Sequence, residues 1–166
     1  MRATPDDFRS SERRNPDRSH VTEQRVRVAR PVVPFTEDGA RTLGRRYWTE
    51  VTRASWGVIR CRETKERLEL VAFGIGPALF RFGGAQITVE STAVSCAYRI
   101  RGGLLSLGEA GTLVVSQTGR EQPELRVLVD GFFARLGGGV LYGLQRRAHL
   151  AVSRRFFRNL LTGAPP

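Results

Sequence analysis

The sequence predicts an α+β fold, a curved antiparallel β-sheet packed on a long C-terminal α-helix. Three observations lead there. Between Trp56 and Phe133 apolar residues recur with period two, in short runs separated by glycine-rich turns. From about residue 140 to Leu161 the period becomes that of a helix. Residues 1–24 show neither period.

The first 24 residues are rich in Arg, Asp, Ser, Pro and Asn. Such a segment buries too little apolar surface to offset its ordering entropy, so a disordered, arginine-rich tail is expected. Order is expected from Arg25, where Val26 and Val28 alternate with arginines, and Pro31 and Pro34 end that strand. Thr36 to Gly39 reads as a turn with N-cap residues. Leu43, Tyr47 and Val51 then recur at i, i+4, i+8 beside Trp48, which predicts an amphipathic helix over 40–54.

The runs 56–63 and 67–73 form a hairpin across the polar turn Thr64-Lys65-Glu66. Further strands follow at 78–82, 86–90, 94–100, 112–118 and 125–133, with Gly83-Gly84, Gly102-Gly103, Gly108 to Gly111 and Gly119 to Pro123 as punctuation. This is an antiparallel meander, a strongly curved sheet or a partly closed barrel. Gly137 to Gly139 break it. In the helix beyond, Leu141, Gln145, Ala148, His149, Val152, Phe156 and Leu160 share a face, and Arg147, Arg154, Arg155 and Arg158 lie opposite. Residues 25–162 thus make one domain, and 163–166 a C-terminal tail.

Composition narrows the function classes. The net charge of +11 is spread along the chain, with +3 in residues 1–30, +5 in 140–166 and the rest over the domain between, and Lys65 is the single lysine among 27 basic residues. That preference has the look of GC-rich bacterial coding. No recognition helix, zinc knuckle or stacking pattern accompanies the arginines, which argues against a nucleic-acid partner. Cys61 and Cys96 stand outside any metal or redox spacing and read as reduced, buried thiols. No apolar run approaches the ~20 residues of a membrane span. The N-terminus has no apolar stretch of a secretory signal, so a cytoplasmic location is expected. There is no G-x-S-x-G, H-E-x-x-H or P-loop, and no histidine cluster for a metal. Neither a cofactor nor a metal site is expected.

The order of strand, short helix, antiparallel strands and long helix resembles the helix-grip fold of the START/Bet v 1-like superfamily (SRPBCC), which includes polyketide cyclase-like proteins. The likeness is carried by 67–161, including Leu68-Glu-Leu-Val-Ala-Phe-Gly, Gly111-Thr-Leu-Val-Val-Ser-Gln-Thr-Gly, Leu125-Arg-Val-Leu-Val-Asp-Gly-Phe-Phe and Gly139-Val-Leu-Tyr-Gly-Leu-Gln-Arg-Arg-Ala-His-Leu. It implies a cavity between sheet and C-terminal helix for a small hydrophobic, lipid- or polyketide-like ligand. Alternation then puts Phe80, Phe82, Tyr98, Val115 and Gln117 on the inner sheet face, with Gln145, His149 and Val152 joining from the helix. Tyr98, Gln117, Gln145 and His149 would be the polar groups of that wall.

A binding protein rather than an enzyme is the reading this favours. The alternatives are a cyclase- or isomerase-type enzyme using His149 or Tyr98 as acid/base, and a basic surface-interaction protein for nucleic acid or an anionic membrane. The arginine face of the last helix allows peripheral contact with anionic lipid.

Overall fold

The computed structural model describes residues 8–64, 66–106, 108–133 and 139–162, with the backbone alone at 139–142, 144 and 145. Among these residues the order is β1 (Arg9–Arg14), β2 (His20–Arg27), α1 (Glu37–Ala54), β3 (Ile59–Glu63), β4 (Arg67–Ala72), β5 (Ala78–Gly83), β6 (Gln86–Glu90), β7 (Ala93–Arg99), β8 (Thr112–Thr118), β9 (Glu124–Phe132) and α2 (Gly139–Thr162). The architecture is α+β and antiparallel throughout.

The strands form a six-stranded sheet in the order β1-β2-β9-β8-β7-β6 and a three-stranded sheet β3-β4-β5. The two are joined. Phe82 bridges Ile100, Arg101 N–H donates to Arg81 O at 2.7 Å, and Leu104 N–H donates to Ala78 O at 3.1 Å. β5 and β6 therefore run along one neighbour, β7 and its continuation, with a one-residue register change at Gly83–Ala85. This irregularity bends the sheet. The curvature brings Phe80 of β5 within 5.8 Å of Phe132 at the end of β9, ring centre to ring centre. Among the described residues no ladder closes the curve into a barrel.

One sheet face is apolar by strict alternation. Val94, Cys96 and Tyr98 on β7, Leu113, Val115 and Gln117 on β8, and Leu125 and Val127 on β9 are all buried. Cross-strand partners such as Val115 with Cys96 and Val127 put these residues in rows. Val89 of β6 is exposed.

Two helices cover that face. α1 rests directly on β7 and β8, and α2 covers α1 and β2. The close approach is made at Gly44, where a Cβ would stand well inside contact distance of Tyr98 Oη and 2.7 Å from Cys96 Sγ. Around it Trp48 packs edge-on to Tyr98 and tilted on Phe82, at 5.1 and 5.0 Å. α1 also starts earlier than residue 40. Thr36 Oγ1 accepts the Gly39 N–H at 3.2 Å, and Glu37 and Asp38 favour the positive end of the helix.

The expected disorder of residues 1–24 does not hold for 8–24, while 1–7 lie outside the described residues, as do 163–166. β1 pairs with β2 from Arg9↔Arg25 to Arg14↔His20. Every residue of β1 is exposed, so no apolar period announces it. Backbone pairing holds it, with Phe8 against Phe157 at 6.0 Å and Arg146 Nε on Glu12 at 2.7 Å. Its turn is closed by Asp17, which accepts from both Ser19 N–H and Ser19 Oγ–H. Gln24 of β2, assigned to that tail by sequence, faces inward and is buried.

The contact at Gly44 gives the first prediction. Gly44→Ala should destabilise the protein by about 1–3 kcal/mol, the usual cost of overpacking, although alanine favours a helix intrinsically. Tyr98→Phe, by removing the hydroxyl the new methyl would strike, should recover part of that loss. Denaturant unfolding of the single and double variants reads both effects, and purely additive losses would place the strain elsewhere.

Candidate functional site

On α2, His149, Ser153, Phe156 and Leu160 recur at i, i+4, i+7 and i+11, a stripe that turns toward α1 and β2. Two polar residues in this stripe meet polar partners. Ser153 Oγ donates to Gln24 Oε1 on β2 at 3.1 Å, in a fully buried setting. Tyr47 on α1 interacts with Ser153 through its hydroxyl and lies 3.2 Å from His149 Nδ1. A chain of polar groups, Gln24–Ser153–Tyr47–His149, thus crosses the interior where β2, α1 and α2 meet. Tyr47 is also fixed by aromatic edges, with Phe156 at 5.6 Å and Trp48 at 5.2 Å.

The chain is satisfied except at one end. His149 Nε2 is buried and has no hydrogen-bond partner among the described residues. Two tautomers are available. If Tyr47 donates to Nδ1, the free Nε2 carries the proton and is a donor. If Nδ1–H donates to Tyr47, Nε2 is an acceptor. Burial lowers the pKa of His149 to about 4, so the ring is neutral at pH 7. Burial raises the Tyr47 hydroxyl, so that group stays protonated.

The other expected wall residues fall into three groups. Gln117 is fully buried, and its side chain holds the connection after β2. Oε1 accepts from Val32 and Val33 N–H at 2.7 and 3.1 Å, and Nε2 donates to Val33 O at 2.8 Å. Tyr98 lies under Gly44, where burial raises its hydroxyl pKa. Phe82 and Val115 are buried, and Phe80 is half-buried and stacked on Phe82 at 6.0 Å. His149 and Val152 belong to the α2 stripe. The side chain of Gln145 lies outside the described residues. The structure therefore joins His149 to residues that the sequence reading did not select, Tyr47, Ser153 and Gln24. Their signal was weak. Tyr47 reads as part of an apolar stripe, and Ser153 is a small residue one turn from His149.

Next to this chain, Glu50 on α1 is buried and held by Arg155 Nε of α2 at 2.9 Å and Arg53 at 3.4 Å. It pins the two helices, and removing either partner would leave a buried charge. A separate cleft of about 470 Å3 lies outside, where the two sheets join, lined by Arg67, Glu69, Arg81, Gly83, Arg99 and Arg101 among others. Glu69 Oε1 lies 4.0 Å from both Arg67 Nε and Arg81 Nε. Its chemistry suits an anion, not an apolar molecule.

No family model and no curated protein sequence matches this chain. Among solved structures it is similar to CalU16 from Micromonospora echinospora. The two share 12% identity and a TM-score of 0.41, over 96% of this chain and 85% of that one.

The depressed histidine has a consequence for stability. An unfolded His149 takes up a proton near its ordinary 6.5, whereas the folded ring resists until about 4. Its contribution to stability is therefore complete above about pH 6.5 and is lost as pH falls toward 4, by at most about 1.4 kcal/mol per pH unit. In His149→Gln this slope should disappear. Denaturant midpoints of both proteins across that range test it, and His20, which is present in both, cancels from the difference. Parallel pH curves would mean that the ring is solvated.

Proposed function

We propose that this protein is a START/Bet v 1-like binding module that takes a small, mainly apolar molecule carrying one polar group at the α1–α2–sheet interface. The element order supports the family reading. The observation that carries the function is His149 Nε2, a buried polar atom with no partner among the described residues. Leaving such an atom unpaired costs about 1–3 kcal/mol, and a ligand's hydroxyl or carbonyl would supply the missing bond. Tyr47, Trp48, Val152 and Phe156 give the apolar surroundings such a site needs.

The polar chain behind His149 fits binding better than proton transfer. A neutral imidazole with a pKa near 4 orients a hydrogen bond but is a weak base at pH 7. Tyr98, the other acid/base candidate, holds its proton and is wedged against a helix backbone. The inner face is filled by side chains in this conformation, with Tyr47, Trp48, Tyr98 and Phe156 all buried. Ligand entry therefore requires α2 to shift relative to α1 and β2, at the cost of the buried Ser153–Gln24 bond.

Native mass spectrometry of protein freshly purified from a bacterial host tests the proposal. The expected result is an added mass, released on denaturation, that His149→Leu no longer retains. The variant should remain folded, since the Tyr47 hydroxyl keeps its interaction with Ser153. A wild-type protein with no added mass, and none after incubation with fatty acids and aromatic polyketides, would remove the reading.

A further inference from the structure

Among the described residues, the large exposed hydrophobic side chains are concentrated at one end. Six large hydrophobic residues are exposed among those described, and Trp56, Val58, Phe73, Ile75 and Leu104 are five of them. Topology gathers these five. Trp56 and Val58 lie between the end of α1 and the start of β3, and Phe73 and Ile75 lie in the turn from β4 to β5. Leu104 pairs with Ala78 at the start of β5, and Phe73 N–H donates to Val58 O at 2.6 Å. Trp56 is 93% exposed, Ile75 75% and Phe73 70%. Scattered exposed apolar residues are ordinary, but a cluster led by a fully exposed tryptophan marks an interaction surface.

The backbone holds two of these side chains outward against its own preference. Trp56 and Phe73 have φ of 58° and 53°, and the glycines that follow them, Gly57 and Gly74, have 77° and 72°. Ile75 N–H returns to Ala72 O at 3.2 Å, so Phe73-Gly74 are the central residues of a tight turn with positive φ at both. Such positions favour Asn, Asp or Gly. A bulky residue there is strained, and strain of this kind gathers at functional sites.

Charge identifies the occupant. Segments 51–62, 70–89 and 91–105 contain no acidic residue. Arg60 and Arg62 reach toward the turn, Arg60 beside Gly74 and Arg62 donating to Gly74 O, and Arg53 stands in the last turn of α1. An apolar tip backed by arginines meets a second copy of itself with like charges face to face, which opposes pairing. It meets an anionic bilayer with complementarity on both counts, its aromatic and aliphatic side chains entering the interface and its guanidinium groups at the headgroups. We infer that the end formed by Trp56, Val58, Phe73, Ile75 and Leu104 docks the protein peripherally on anionic lipid membranes. This surface is distinct from the arginine face of α2, and it does not depend on a ligand at His149.

The test uses the full chain and its two tryptophans. Trp48 is buried in the core and Trp56 is at the tip, so an emission shift on membrane contact reports the tip. Vesicles of phosphatidylcholine with about one-third phosphatidylglycerol should sediment the protein and shift its emission to the blue. Pure phosphatidylcholine should bind at least about tenfold more weakly. Phe73→Ser with Ile75→Ser should lower affinity by about tenfold or more, and Arg60→Glu with Arg62→Glu should do the same. All four positions are exposed, so an unchanged thermal midpoint confirms that each variant is folded. Three results would overturn the inference. They are no binding to anionic vesicles, binding that the tip variants leave unchanged (which would put the contact on α2), or concentration-dependent self-association that the tip variants abolish.

Discussion

The close approach at Gly44 sets the position of everything above the sheet. With no side chain there, α1 drops onto β7 until its backbone meets Tyr98 and Cys96. That depth lets Trp48 reach Phe82 across the junction of the two sheets, and it brings Tyr47 to the outer side of α1, against α2. A helix standing off by the thickness of one methyl group would loosen both aromatic contacts, because close-packed interiors transmit displacement instead of absorbing it. α2 is therefore the second layer on much of the face. Its own hold on the sheet is at β2 and at Phe8, which is why the β1–β2 hairpin belongs to the folded unit.

Buried polar groups give this packing its register. Gln117 satisfies two backbone N–H groups and one carbonyl in the connection from β2 to α1, so that connection is tied to the end of β8. Gln24, Ser153 and Tyr47 do the same between β2, α2 and α1, and Glu50 with Arg155 repeats the link one turn along. An apolar stripe permits several sliding arrangements of two helices. A chain of hydrogen bonds permits one, because every other register strands a buried polar atom.

The sheet was legible in the sequence because alternation is a local signal. Val94/Cys96/Tyr98, Leu113/Val115/Gln117 and Leu125/Val127 face inward as their period requires. α1 was legible from Leu43, Tyr47 and Val51, and the glycine at 44, which weakens a helix by propensity, was the residue that fixes its place. β1 was not legible, since a fully exposed polar strand is specified by its partner and not by its own pattern. The polar chain was half legible. His149 stood out as a rare residue on an apolar face, but Tyr47, Ser153 and Gln24 lie on three elements far apart in sequence, and only the packing of those elements makes them neighbours.

Two features run against stability. One is the Nε2 of His149, unpaired among the described residues, and the other is the left-handed backbone at Trp56 and Phe73 that holds aromatic rings in water. A sequence selected only to fold would place a carbon at the first and Asn-Gly at the second, since local choices in a stable protein agree with the global fold. Both features are tied to α1. Tyr47 holds the imidazole, and Trp56 follows two residues after the helix ends at Ala54. A helix rises about 1.5 Å per residue, so the seven steps from Tyr47 to the helix end at Ala54 span roughly 10 Å of a rigid element seated on the sheet. The outward tip and the inward polar chain are thus held at a fixed separation by the same contact at Gly44. The seating of α1 at Gly44 therefore fixes the geometry of both features at once, because a close-packed helix moves as one body.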